Sequence, residues 1–121
     1  MSKKKFIIYD ASKAYARYIR LHLDDTYDIE VYHKHQFLYL KEDNLLTNIA
    51  FVYVNSNDDL YALLWLIGKT EILIVGYSNP FFEYIIHRVD NIERLNLLQV
   101  KRDLLCQLKD LIYSKTQLLL I

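Results

Sequence analysis

Ile49-Ala50-Phe51-Val52-Tyr53-Val54, followed by Asn55-Ser56-Asn57-Asp58-Asp59, is the stretch that decides the fold. An apolar run with no polar alternation reads as a strand buried on both faces, as central parallel strands are. The polar residues after it supply cap residues with acids in the first turn, which suits a helix N-terminus. Working outward, the same strand-then-helix phrase recurs. Lys5-Phe6-Ile7-Ile8-Tyr9 ends at Asp10, and Ser12 is placed to cap a helix carrying Tyr15, Tyr18, Ile19 and Leu23 at helical spacing. Asp28–Tyr32 alternates like a strand, and Phe37, Leu38, Leu40 and Leu45 suggest a short second helix ending near Asn44. Leu60, Leu63, Leu64 and Ile67 form the expected buried stripe of the next helix, which Gly68 stops. Ile72–Val75 is a further buried strand, and Pro80 opens a helix bearing Phe81, Phe82, Ile85, Ile86 and Val89. Leu95–Leu98 is a weaker fifth strand, and Leu104, Leu108, Leu111 and Ile112 mark the last helix.

Strand and helix alternating five times require a parallel sheet covered by helices on both faces, because each crossover is right-handed. The expectation is an α/β domain of three layers with a five-stranded parallel sheet in the flavodoxin-like order 2-1-3-4-5. At 121 residues, with no repeat and no linker-like stretch, residues 1–121 read as one domain. Two glycines exclude a Walker loop and a GxGxxG dinucleotide loop, and the single Cys106 excludes an internal disulfide and any multi-thiolate zinc site. No apolar run approaches the roughly 18 residues of a membrane helix, and the MSKKKFIIYD start is too short in its apolar part for a signal peptide. Lys+Arg and Asp+Glu balance at 15 each, but unevenly along the chain. Residues 1–20 hold Lys3, Lys4, Lys5, Lys13, Arg17 and Arg20 against Asp10, while residues 21–60 hold eight acids against Lys34 and Lys41. A solvated strand start and an exposed helix face account for the basic arm. No basic stripe or aromatic nucleic-acid motif accompanies it, so neither nucleic acid nor membrane is an expected partner.

The whole pattern resembles the receiver domain of bacterial response regulators, from Phe6 to about Tyr113. FIIYDAS at Phe6–Ser12 is similar to the first receiver strand, where two adjacent acids bind magnesium; Asp10 matches one acid and Ala11 stands at the other. NIAFVYVNS at Asn48–Ser56 is similar to the third strand, whose last residue is the phosphoacceptor Asp. Tyr53 falls there, or Asn55 after a two-residue slip. EILIVGYS at Glu71–Ser78 is similar to the fourth strand, where a Thr or Ser helps hold the phosphoryl group; Gly76 occupies that position and Ser78 lies two residues on. A receiver's fifth strand ends in Lys-Pro. LNLLQ at Leu95–Gln99 has neither, and Lys101 is already in the helix. The resemblance therefore implies a receiver that kept the fold and lost the switch. Phosphoryl transfer needs a carboxylate nucleophile, a divalent cation and donors aimed at the equatorial oxygens. Tyr53 and Asn55 offer no carboxylate, and a lone acid is a poor magnesium site.

Other groups have structural readings. His33 and His35 form an H-x-H pair with no third ligand at sensible spacing, and His22 and His87 sit on expected helix faces bordering solvent. Cys106, among leucines, reads as a buried small hydrophobe. Asp58-Asp59 reads as a capping pair and Asp24-Asp25 as a solvated helix end. Tyr9, Tyr53 and Tyr77 end or follow three strands at the sheet's C-terminal edge, where open α/β sheets bind ligands. They form either a ligand pocket, a plugged site, or a set of phenols capping the core.

The expected function is that of a non-catalytic, cytoplasmic receiver-like signalling domain acting through protein–protein contacts, with no cofactor and no metal. A phosphorylation-competent receiver of a two-component system and a small-ligand binder using the tyrosine edge are the alternatives. Thr116–Ile121 reads as an apolar tail beyond the last helix, ending in Leu118, Leu119, Leu120 and Ile121. Receivers resembling this chain pair through the face of their last two helices and fifth strand. That implies a homodimer using Phe81, Ile85, Leu105, Tyr113 or the tail, with a tail packed on its own monomer as the alternative.

Overall fold

Strands and helices alternate throughout residues 3–34, 47–98 and 101–119, which the computed structural model describes. In chain order they are β1 (Lys4–Tyr9), α1 (Ala14–Leu23), β2 (Tyr27–Tyr32), β3 (Thr47–Val54), α2 (Asn57–Leu66), β4 (Thr70–Tyr77), α3 (Pro80–Ile86), β5 (Glu93–Asn96) and α4 (Lys101–Leu119). The strands form one parallel sheet in the order β2-β1-β3-β4-β5. Strand alternation divides the core in two. Phe6, Ile8, Ile49, Phe51 and Ile74 face one way and meet Ala16, Ile19 and Leu23 of α1 and Leu104, Leu108 and Ile112 of α4. Ile7, Ala50, Val52, Leu73 and Val75 face the other way and meet Ala62, Leu63 and Leu66 of α2 and Phe82 and Ile86 of α3. This is the three-layer flavodoxin-like fold and strand order that the alternation implies.

Local details depart from the sequence reading, each for a definable reason. The expected helix over Phe37–Leu45 lies outside the described residues. In α2 the buried positions are Asp59, Ala62, Leu63 and Leu66, while Leu64 and Ile67 are exposed. Ala62, Leu63 and Leu66 form the stripe that packs on the sheet, and Leu64 lies outside it. Gly68, at φ 82°, then takes the left-handed turn that ends the helix. β5 starts at Glu93, two residues before the apolar run, because Ile74 pairs with Glu93 and Gly76 with Leu95. Leu97 falls just past the strand, buried and donating its N–H to Tyr77 O at 2.7 Å, and Leu98 is exposed. Cys106 is exposed rather than buried, since Leu104, Leu108 and Ile112 already form the inward stripe of α4. That helix runs through Leu119, so Thr116–Leu119 continue it rather than forming a tail, and residues 120–121 lie outside the described residues.

α3 has only seven residues, and both its ends are held by side chains. Asn79 Oδ1 accepts from Phe81 N–H at 3.0 Å, with Pro80 in the first turn. At the other end Arg94 of β5 donates from Nε to Ile86 O at 3.3 Å, and from Nη2 to His87 O at 3.3 Å and Val89 O at 2.7 Å. One guanidinium thus answers the carbonyls that a helix terminus leaves unpaired. Arg94→Ala is expected to lower stability in urea by about 1.5–3 kcal/mol. Arg94→Lys should recover only part of it, because an ammonium lacks the planar fork.

Candidate functional site

The C-terminal edge of the sheet gathers the residues that the sequence singles out, and Asp10 organises it. Asp10 follows β1 and is fully buried. Its Oδ1 accepts from Ser12 N–H at 3.0 Å and Ser12 Oγ at 2.5 Å; its Oδ2 accepts from Tyr15 N–H at 2.8 Å and Ala16 N–H at 3.0 Å. Its own N–H donates to Tyr32 O at 3.0 Å, and its carbonyl accepts from Lys13 N–H at 3.1 Å and His33 Nδ1 at 3.0 Å. Asp10 is therefore the cap of α1. Ser12, the expected cap, adds only a 3.3 Å contact from Ala14 N–H to its Oγ. The connection is tight enough to hold Lys13 at φ 67°, in the left-handed region. A carboxylate buried against four donors is well satisfied and has little left to offer a cation.

The other positions follow from strand parity. Ala11 is exposed and brings no acid. Tyr53 packs on the α1 side of the sheet, its ring centroid 4.8 Å from that of Tyr15 and its hydroxyl 2.8 Å from Ser78 Oγ. Burial raises the Tyr15 pKa above 10.0, and the nearby Tyr53 and Asp10 raise it further. Gly76 pairs with Tyr53 on one side and Leu95 on the other. A Cβ at Gly76 would lie 2.7 Å from Leu97 Cδ1 and 2.9 Å from Phe51 Cζ, so those side chains fill the space above it. Asn55 is exposed and donates its backbone N–H to Asp59 Oδ2 at 2.8 Å.

Tyr9 and Tyr77 pack on the α2–α3 side, opposite Tyr53. The three phenols share one end of the sheet but not one face, so they do not line a common pocket. Tyr9 pairs with Val52 and Tyr77 with Val54, which puts both on the parity that Tyr53 lacks. Burial raises the Tyr77 pKa as well; Glu83 adds to the rise through its charge and a hydrogen bond, and Arg94 opposes it.

A cavity of about 310 Å³ does open at this edge, lined by Tyr9, Ala11, His33, Lys34, Ser56, Asp58 and Asp59. Asp59 is the residue to which the sequence reading gives only a capping role. Its Oδ2 braces the turn before α2, consistent with the capping reading, but its side chain is 98% shielded and Oδ1 has no partner. The two acids differ in burial, Asp59 being buried and Asp58 exposed, which adjacent acids in a sequence do not reveal. His35 lies outside the described residues. His22 stands edge-on to Tyr18 at 4.7 Å, and His87 lies 3.6 Å from Glu83. Among the described residues no three His, Cys, Asp or Glu side chains are grouped to hold a metal.

No protein-family model and no curated protein matches the chain. Solved structures do. The signal receiver domain of a Vibrio parahaemolyticus protein superposes with a TM-score of 0.68 at 11% identity, over 98% of this chain and 96% of that one. An adenylate cyclase structure from Rhodopirellula baltica gives 0.72 at 7% identity, over 96% and 92%. A CheY-like response regulator receiver domain protein from Methanospirillum hungatei gives 0.62 at 18% identity, over 96% and 98%. The chain has the response-regulator receiver fold. Asp10 caps α1 here, and Gly76 of β4 is roofed by Leu97 and Phe51.

Two substitutions test this packing. Asp10→Asn replaces an acceptor oxygen with a donor amide facing donors, and is expected to cost at least about 1.5–3 kcal/mol in chemical denaturation. Gly76→Ala should cost about 1–3 kcal/mol by overpacking Leu97 and Phe51. The phenols predict a pH dependence too. Because the native pKa values of Tyr15 and Tyr77 lie above 10.0, the folded state holds these protons more tightly than the unfolded state. That contribution to stability is complete below pH 10.0 and is lost as pH rises through the raised native values. Urea midpoints should fall on that alkaline side, and less steeply in a Tyr15→Phe, Tyr77→Phe double variant.

Proposed function

We propose that this chain is a receiver-like signalling domain that takes up no phosphoryl group and acts by binding another protein. The observation that carries this reading is the commitment of Asp10. A receiver's magnesium would have to compete with Ser12, Tyr15 and Ala16 for the carboxylate that starts α1. No second acid stands beside it at Ala11. The candidate acceptor positions are equally unsuited: Tyr53 is buried with its hydroxyl on Ser78, and Asn55 has no carboxylate. Without nucleophile, metal ligands or a hydroxyl at Gly76, the chemistry lacks each of its parts. What the fold retains is a rigid surface.

That surface includes α3, where Phe81 and Tyr84 stand three residues apart, 62% and 64% exposed, beside half-buried Ile85. Arg88 stacks on the Tyr84 ring and donates to its hydroxyl, holding it outward. Tyr113 of α4 is exposed as well, whereas Leu105 packs against the core. Exposed aromatics paired with Arg are the chemistry of contact surfaces. We assign the face of α3, β5 and α4 to protein contacts, a second copy of this chain among them, in the cytoplasm, where the single exposed Cys106 stays reduced. No helix among the described residues is long and apolar enough to cross a membrane.

Incubation with acetyl phosphate and magnesium, followed by intact mass, is expected to show no added phosphoryl group. A stable mass gain would overturn the reading. Sedimentation at tens of micromolar is expected to show a dimer that Phe81→Ser with Tyr84→Ser converts to monomer. A wild-type monomer there would remove the homodimer and leave only a heterologous partner.

A further inference from the structure

We infer that the groove at the N-terminal edge of the sheet, between the end of α1 and the last turns of α4, is a binding site for an organic acid, a carboxylate carried on an apolar body. It lies at the starts of β1 and β2, the opposite edge from Asp10. The two helices beside it are unequal. α1 has 10 residues and α4 has 19, so they span roughly 15 Å and 28 Å. Leu23 closes α1, whereas α4 continues past Ile112 to Leu119. Beside that overhang lies a cavity of about 710 Å³, within the range of roughly 300–1,000 Å³ that small-molecule sites occupy. Leu23, Ile49 and Ile112 close its base and are buried. The apolar surface within reach of a ligand comes from half-buried Tyr27 and Thr116 and from exposed Tyr113.

The charged part of the lining sets the head group. Lys4 pairs with Tyr27 and shares the parity of Phe6 and Ile8, so a cation stands where the strand pattern would place a core side chain. Lys109 joins it from α4. Both lysines are exposed, and among the described residues neither side chain has an ion-pair or hydrogen-bond partner. Lys3 also lines the groove, with its Nζ donating to Asp24 O at 3.2 Å. Against these three cations the lining holds one acid, Asp110. Asp24, Asp25 and Asp28 line a neighbouring cleft that shares Lys3 and Tyr27, and none of them lines this one. Tyr27 stands edge-on to Phe6 at 5.5 Å, and burial raises its pKa above 10.0, so its hydroxyl stays a neutral donor. A bare inorganic anion would leave the tyrosines unused, and a neutral apolar molecule would leave the lysines unused. A carboxylate on an alkyl or aryl body uses both, covering Tyr27 and Tyr113 while its head meets Lys4 and Lys109. The inference does not depend on whether the chain takes up a phosphoryl group.

The test is amide chemical-shift titration of the intact ¹⁵N-labelled chain with sodium hexanoate and sodium 3-phenylpropionate. Hexanol and 3-phenylpropanol control for the apolar body, and sodium acetate at equal ionic strength controls for the head. Saturable shifts at Thr26, Tyr27, Ile49, Tyr113 and Thr116 are expected with both long acids, absent with acetate and weaker with the alcohols. Tighter binding of hexanoate supports an alkyl acid as ligand, and tighter binding of 3-phenylpropionate an aromatic one. Lys4→Gln with Lys109→Gln, both at exposed positions, should weaken the acids about threefold to tenfold and leave the alcohols unchanged. Thr26→Trp, which fills the groove from an exposed position without touching the lysines, should abolish binding with unchanged circular dichroism. The lysine variant keeps the test intact if Thr26→Trp does not fold. No saturable shift with any probe at tens of millimolar overturns the inference, as do alcohols binding as tightly as their acids or acid binding unchanged in either variant. Shifts of the same amides on raising protein concentration alone would give the groove to a second copy of the chain and overturn it too.

Discussion

Burial of the central strands on both faces is the constraint from which the rest of the molecule follows. β1, β3 and β4 present apolar side chains to opposite sides, and neither set can be left in water, so helices must lie above and below. Parallel pairing goes with strands that return through crossover connections, and all strand C-termini come to one edge. Strand alternation decides which side of that edge each residue serves. Asp10 is delivered toward α1 and becomes its cap, while Tyr9, one residue earlier, is delivered to the α2–α3 layer. The site is therefore a by-product of the packing, and parity governs what can meet there.

The same logic accounts for the role of Asp10. A carboxylate at the end of β1 can serve a metal or the first turn of the next helix. Here the turn Ala11–Lys13, held with Lys13 in the left-handed region, folds the backbone N–H groups of Ser12, Tyr15 and Ala16 onto Asp10. Once a carboxylate supports folding in this way, removing its partners to seat an ion costs stability. Leu97 reaching over Gly76, with Phe51 beside it, fills the space next to the sheet edge with apolar packing.

The layer order, strand order and most core positions were legible because they rest on period-2 and period-3.6 apolar patterns with few alternatives. Three kinds of feature were not. β5 begins at Glu93, a polar residue, because an edge strand is set by its one neighbour β4 rather than by its own hydropathy. Leu64, Ile67 and Cys106 were assigned inward when tertiary packing chose the adjacent stripe, which apolar composition alone cannot distinguish in helices this hydrophobic. At the site, Asp10 was singled out in the sequence, but its role as cap was not, since Ser12 offered a nearer and more ordinary one. The tyrosines were placed at the correct end yet grouped across both faces, because strand ends were compared without their parity.

Asp10 and Asp59 show what buried charge means in this fold. Both acids are shielded, and both sit at a strand-to-helix junction on the same edge of the sheet. Asp10 accepts from four donors of its own chain, and its burial is accounted for by folding alone. Asp59 accepts from one, through Oδ2, and keeps Oδ1 buried and without a partner. If capping were its whole role, a half-exposed acid would serve as well and avoid the desolvation. The difference between the two carboxylates is a missing donor.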